Sequence, residues 1–155
     1  MKKLLAFVLT TILLTSVFVS AIYAANNADS IYSENKTTSY TEYYEDGSYT
    51  VTTITQSPKA RSSSYTLVGS RIVDLYNNKD ELQWRYTLHG TFYVVEGVSA
   101  TCTESTYSSE IFDNAWSLTA HSNDYSNNIA HGTATYKKKV LFITTNTHDV
   151  NVEVG

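Results

Sequence analysis

One stretch, LQWRYTLHGTFYVV at residues 82–95, most narrows the folds open to this chain. Leu82, Trp84, Tyr86, Leu88, Gly90 and Phe92 alternate with Gln83, Arg85, Thr87, His89, Thr91 and Tyr93. An alternation of that length puts one face on a core and the other toward solvent, so the segment is a strand and not a helix. Gly90, inside the apolar row, predicts a bulge or a close backbone approach.

The neighbouring segments follow the same logic. SRIVDLY (70–76) reads as a strand joined to the first by the turn NNKDE (77–81). After EGVS come ATCTESTYSSEIF, the turn DNA, and WSLTAHS with Trp116, Leu118 and Ala120 on one face. NDYSNN (123–128) is a loop by composition. IAHGTATY follows, with small Ala130, Gly132 and Ala134 on one side, which lets a facing sheet carry large rings such as Trp84. The last strand is expected over VLFITTNTHDVNVEV, with Val150, Val152 and Val154 in register. Upstream, SYTEYYEDGSYTVTTIT reads as a hairpin turning at Asp46-Gly47, which places Tyr44 opposite Tyr49. Neither of its faces is cleanly apolar, so it is expected as an appendage. The whole predicts an all-β, antiparallel, immunoglobulin-like sandwich of about six to eight strands. Thirteen tyrosines against one proline and one methionine fit that class.

The N-terminus adds a destination. Lys2 and Lys3 precede an apolar run from Leu4 to Val19, and small residues at Ala21 and Ala24 offer cleavage points. That order is the layout of a secretory signal peptide over 1–24. Residues 25–64 are then the N-terminal hairpin and linker, and 65–155 the sandwich domain. No second long apolar segment occurs, so no membrane span is expected after cleavage, and the product is expected outside the cell. QSPKARSSS (56–64) reads as a linker whose Lys59 and Arg61 would admit a trypsin-like protease, releasing a pro-segment. Asn35-Lys36-Thr37 is a glycosylation sequon without meaning in a bacterium.

The formal charge is −4, and loss of Lys2 and Lys3 lowers it by two. No basic stripe follows phosphates, so a nucleic-acid partner is not expected. Lys137-Lys138-Lys139 is the one positive cluster. It reads as a solvated turn or a guarded strand edge, with an anionic polymer contact as the alternative.

From about Gly69 onward the chain resembles a group of uncharacterised small secreted β-sandwich proteins of Gram-positive, gut-type bacteria. The residues that carry the resemblance are LQWRYTLHGTFYVVEGVSATC, EIFDNAWSL and TATYKKK. It implies export and a sandwich, and it brings no active site. That group commonly has a second cysteine in the final strand. The resemblance puts Val154 at that place, opposite Cys102.

Catalytic signatures are missing: no G-x-S-x-G, H-E-x-x-H, C-x-x-C or Gly-rich phosphate loop occurs. His89, His121, His131 and His148 lie on separate segments without metal-ligand spacing. Asp74, Glu104 and Glu110 could supply a carboxylate pair for glycoside hydrolysis. Cys102, the sole cysteine, lies in an alternating strand and reads as a buried inert thiol, with pairing to another molecule's cysteine as the main alternative and a nucleophile as the lesser one. No cofactor or metal is expected. Tyr43, Tyr44, Tyr49, Tyr93 and Tyr107 are the candidate surface for a glycan or protein partner. Routine cross-strand tyrosine pairing is the competing reading. The expected function is non-catalytic binding of an extracellular glycan, cell-wall component or protein. The alternatives are an extracellular hydrolase or thiol-dependent enzyme, and a small secreted inhibitor or immunity protein.

Overall fold

The computed structural model describes residues 35–57 and 62–155. The expected leader and the Lys59–Arg61 cleavage point lie outside the described residues. Eight strands follow in chain order: β1 (Lys36–Tyr43), β2 (Tyr49–Gln56), β3 (Ser64–Tyr76), β4 (Leu82–Val95), β5 (Ser99–Ile111), β6 (Trp116–Ser126), β7 (Ile129–Val140) and β8 (Ile143–Val154). They form two antiparallel sheets, β1-β2-β3-β4-β5 and β6-β7-β8, with no helix among the described residues. Within each sheet every strand pairs with its neighbours in sequence, so both sheets are meanders, and the chain crosses from one to the other between β5 and β6. The immunoglobulin expectation is corrected in this respect, because that fold needs Greek-key connections.

The alternation in β4 does what its period requires. Trp84, Tyr86, Leu88 and Phe92 are buried on one face. Their partners across the interior are the small residues of β7. A Cβ built on Gly132 would stand 2.6 Å from Tyr86 Oη and 2.8 Å from Leu88 Cδ1, and one on Gly90 would stand 3.0 Å from Ala130 Cβ. The rings therefore fill volume that side chains on β7 leave free. Trp84 itself lies further along, stacked on Tyr136 with centroids 4.1 Å apart and planes within 2°. Trp116 meets Trp84 edge-on.

Bulges keep the core residues in phase. Between Thr91 and Phe92 the register with β5 shifts, so Phe92 faces Cys102 while Thr91 faces Glu104. The extra residue, Thr103, lets Cys102 and Tyr107 share the inner face despite their odd spacing.

Four local expectations are corrected. The hairpin of β1 and β2 is no appendage: β2 pairs with β3 along its whole length, and Thr50 and Thr52 are buried. Its turn is longer than two residues, with Gly47 at φ 78°, so Tyr43 and not Tyr44 stands opposite Tyr49. Asn123–Ser126, polar enough to read as loop, continue β6 in register with Ile129–Gly132. Finally, β7 runs on to Val140, and Val140 pairs with Ile143. The Leu141-Phe142 pair, expected inside a strand, is a two-residue turn at φ 49° and 70°. That left-handed conformation costs a residue with a Cβ about 1–2 kcal/mol, and two-residue hairpin turns favour Asn and Gly for that reason.

All strands and every core side chain fall within the unit Ser33–Gly155. A chain beginning at Ser33 thus keeps all the contacts described above. The packing predicts that Gly132→Ala destabilises the protein by about 1–3 kcal/mol, read as a lower urea midpoint. An unchanged midpoint would mean that β4 and β7 are further apart than the structure places them.

Candidate functional site

The five candidate tyrosines do not share one surface. Tyr43, Tyr49 and Tyr76 form a row across β1, β2 and β3, with centroids 5.4 Å and 5.1 Å apart. Tyr49 and Tyr76 lie within 12° of parallel. Tyr49 and Tyr76 turn faces to each other, whereas Tyr43, tilted by 42° to Tyr49 and 75% exposed, is the most accessible ring of the row. Tyr49 donates to Asp80 at 2.9 Å, and that bond raises its phenol above the ordinary range. Tyr44 turns away and packs edge-on against His148. Tyr107 packs on Tyr86 and His121 inside the sandwich. Tyr93 is exposed and stands apart from the others.

Cys102 is buried, with its Sγ 3.3 Å from the carbonyl oxygen of Glu104. Burial pushes the thiol above its ordinary pKa, which is the reverse of what a nucleophile needs. Its pairing with a cysteine at 154 is corrected. No Cα of β5 comes within 8 Å of one in β8, whereas a disulfide requires about 4.4–6.8 Å.

The histidines are likewise dispersed. His89 Nδ1 lies 2.7 Å from Ser70 Oγ, and His131 Nδ1 lies 3.1 Å from Glu153. His121 packs on Tyr107, and His148 sits among Trp84, Trp116 and Tyr44. Among the described residues no three His, Cys, Asp or Glu side chains meet as a metal site. Of the carboxylates, Asp74 is held by a bidentate Arg85 at 2.7 and 2.8 Å, in one cross-strand row with Glu110. Glu104 lies further along β5, beside Thr91. An Asp74 already committed to Arg85 is poorly placed for acid–base work.

A different site emerges from the widths of the sheets. Five strands face three, so sheet β1–β5 extends past the free edge of β8. The step forms a cleft of about 650 Å³ bordered by β2, β3, β4, Ala100 of β5, the β6–β7 turn with the start of β7, and the end of β8. Its apolar lining includes Ile54, Leu67, Phe92, Val94 and Ile129, with Tyr65 at one side. Arg71 also lines it. In β3, Arg71 shares the inward face with Val73 and Leu75, both core residues. Its Nε is buried without a hydrogen-bond partner, and no ion pair to it occurs among the described residues. Glu153, the acidic side chain in the lining, is turned to His131.

Nothing in the sequence reading singled out Arg71, although the signal was present: a charged residue at i−2 and i−4 from two core positions. The volume lies within the range of about 300–1,000 Å³ of small-molecule sites. A wall part apolar and part polar, with a cation that has no ion pair among the described residues, suits a ligand that has an apolar body and an anionic end.

Comparison with protein-family models, curated proteins and solved structures yields no match.

Two predictions follow from these placements. Val154→Cys stays unbridged to Cys102 under oxidation, with both thiols still titrating after unfolding. A bridge formed in the folded protein would contradict the strand arrangement. The second concerns His148, whose pKa burial lowers against the opposing pull of Asp46 and Asp149. Its folded pKa is below the unfolded value of about 6.5. As pH falls through about 6.5 the unfolded chain takes up this proton before the folded chain does, so stability drops. The urea midpoint should fall between about pH 7.5 and pH 5.5, and His148→Gln should show a shallower fall. An equal fall in both proteins would assign the effect to other groups.

Proposed function

We propose that this chain is an exported, non-catalytic binding protein whose ligand is a small amphipathic anion held in the cleft at Arg71. The observation that carries the reading is the inward-facing guanidinium, without an ionic partner among the described residues, beside Leu67, Phe92 and Val94 in a cleft that Thr55, Gln56 and Asn128 also line. Placing a cation on a core-facing position is unfavourable unless something compensates it. A carboxylate, sulfonate or phosphate at the mouth supplies that compensation through charge-assisted hydrogen bonds, while the apolar body covers Leu67, Phe92 and Val94. Export rests on Lys2, Lys3 and the apolar run Leu4–Val19. Cys102, buried and held protonated, favours binding over thiol chemistry.

The test uses anilinonaphthalene sulfonate, an aromatic body with one anionic group, and saturated fatty acids that displace it. The wild-type protein should bind the dye with enhanced fluorescence. Arg71→Gln should weaken dye and fatty acid by roughly thirtyfold, the equivalent of about 2 kcal/mol for a hydrogen bond to a charged group. Its circular dichroism should not change. A primary alcohol of equal chain length should compete weakly with wild type and equally with the variant. Equal affinity of wild type and Arg71→Gln for the fatty acid would rule the site out.

A further inference from the structure

At the end of the sandwich away from the cleft, the β7–β8 hairpin makes a second departure from ordinary sequence choice. Its tip is Val140, Leu141, Phe142 and Ile143, exposed to 49%, 86%, 99% and 68%. The two central residues also hold positive φ. Two bulky apolar side chains thus occupy a turn that disfavours them, and neither is covered by the described residues. A local rule broken without a compensating contact marks a functional position.

The surroundings are basic and apolar. Lys137, Lys138 and Lys139 lead into the tip, and Lys139 is exposed. The run from Thr144 to His148 carries no acid. The Lys139 amide bonds the Ala115 carbonyl at 2.8 Å, which sets the 112–115 loop, with half-exposed Phe112, beside the base of the hairpin. The nearby acids are engaged. Asp113 accepts from the Ala115 amide and lies 3.8 Å from Lys138, and Asp46 accepts from Ser48. Lys138 in turn lies over Trp116.

We propose that this hairpin tip docks on an anionic lipid surface. Leu141 and Phe142 enter the interfacial region, and Lys139 and Lys137 meet lipid phosphates. The shape decides against a second protein. A stable protein interface buries about 800 Å² on each partner, and a convex point of four side chains is far smaller. A lipid surface needs no complementary shape. It takes apolar side chains at the acyl boundary and cations at the headgroups, which is the order of residues here.

The test uses the folded unit Ser33–Gly155, which lacks the apolar leader, in sedimentation with vesicles. The two compositions are pure phosphatidylcholine and an equimolar mixture with phosphatidylglycerol. The wild type should sediment with the anionic vesicles at about 0.15 M salt, less so as salt rises, and weakly with neutral ones. Leu141→Asn with Phe142→Gly installs the turn residues that positive φ favours. It should keep or raise the melting temperature while lowering partitioning by about tenfold or more. Lys139→Gln should weaken binding to anionic vesicles alone. Three results would overturn the proposal: no wild-type sedimentation, equal binding to both compositions, or full binding by the Asn-Gly variant. A wild-type oligomer that the Asn-Gly variant dissolves, without vesicle binding by either, would instead assign the tip to self-association. None of these readouts involves Arg71, so the cleft stands or fails separately.

Discussion

The two sheets can approach because β7 presents Ala130, Gly132 and Ala134 where β4 presents Tyr86, Leu88 and Phe92. Sheets stacked face to face sit about 10 Å apart, and large side chains from both sides would not fit in that gap. The small row on one sheet gives the rings of the other their room. Tyr136, where β7 becomes large again, is met by the flat face of Trp84, and parallel stacking keeps the gap from widening. The rest of the architecture is arranged around this contact. It aligns β4 with β7, leaves β8 over β3, and so leaves the first two strands of the larger sheet without an equivalent cover. The cleft opens where this cover ends, between β2–β5 of the larger sheet and the β6–β7 turn and C-terminal end of β8 in the smaller one.

Much of this was legible where period and chemistry agreed. The bounds of β4 and the turn at 77–81 coincide with the segments read from alternation, and the small row of β7 does face large rings. The disagreements have a common physical origin. Alternation specifies which face a residue occupies and says nothing about which strand lies beside it, so meander and Greek-key orders were indistinguishable. Composition misled in two opposite cases. Asn123–Ser126 are polar because an outer strand of a three-stranded sheet faces water, and they pair all the same. Val140–Ile143 are strongly β-forming, and their middle is a turn. The one-residue bulge at Thr103 was invisible because nothing in ATCTEST marks it.

The candidate site was less legible than the fold, for a reason that Arg71 illustrates. A search for chemistry by motif looks for groups close together in sequence, and no such group occurs. Arg71 becomes significant only through its phase: two and four residues before Val73 and Leu75, it must face inward, among Ile54 and Leu88 in the same cross-strand row. Tyrosines, by contrast, were conspicuous by number, and most satisfy one another across strands. Abundance was a poor guide and a single out-of-phase charge a better one.

The same reasoning connects the two ends of the molecule. Most described residues agree with their setting: apolar residues in phase face the core, hydroxyl-rich strands face water, and Asp74 meets Arg85. Arg71 is a cation directed at apolar side chains, and Leu141-Phe142 is an apolar pair directed at water in a strained turn. Each is a mismatch in polarity, of opposite sign. Gln at 71 would keep the strand, and Asn-Gly at 141–142 would favour the hairpin. Neither choice follows from the packing of the eight strands, and the proposals above answer each with a contact outside the chain: an anion with an apolar body for the first, and an apolar layer with anionic heads for the second. Both proposed partners would have the chemistry of amphiphiles, and a hairpin tip seated on a lipid surface would leave the cleft, at the opposite end of the strands, facing away from it.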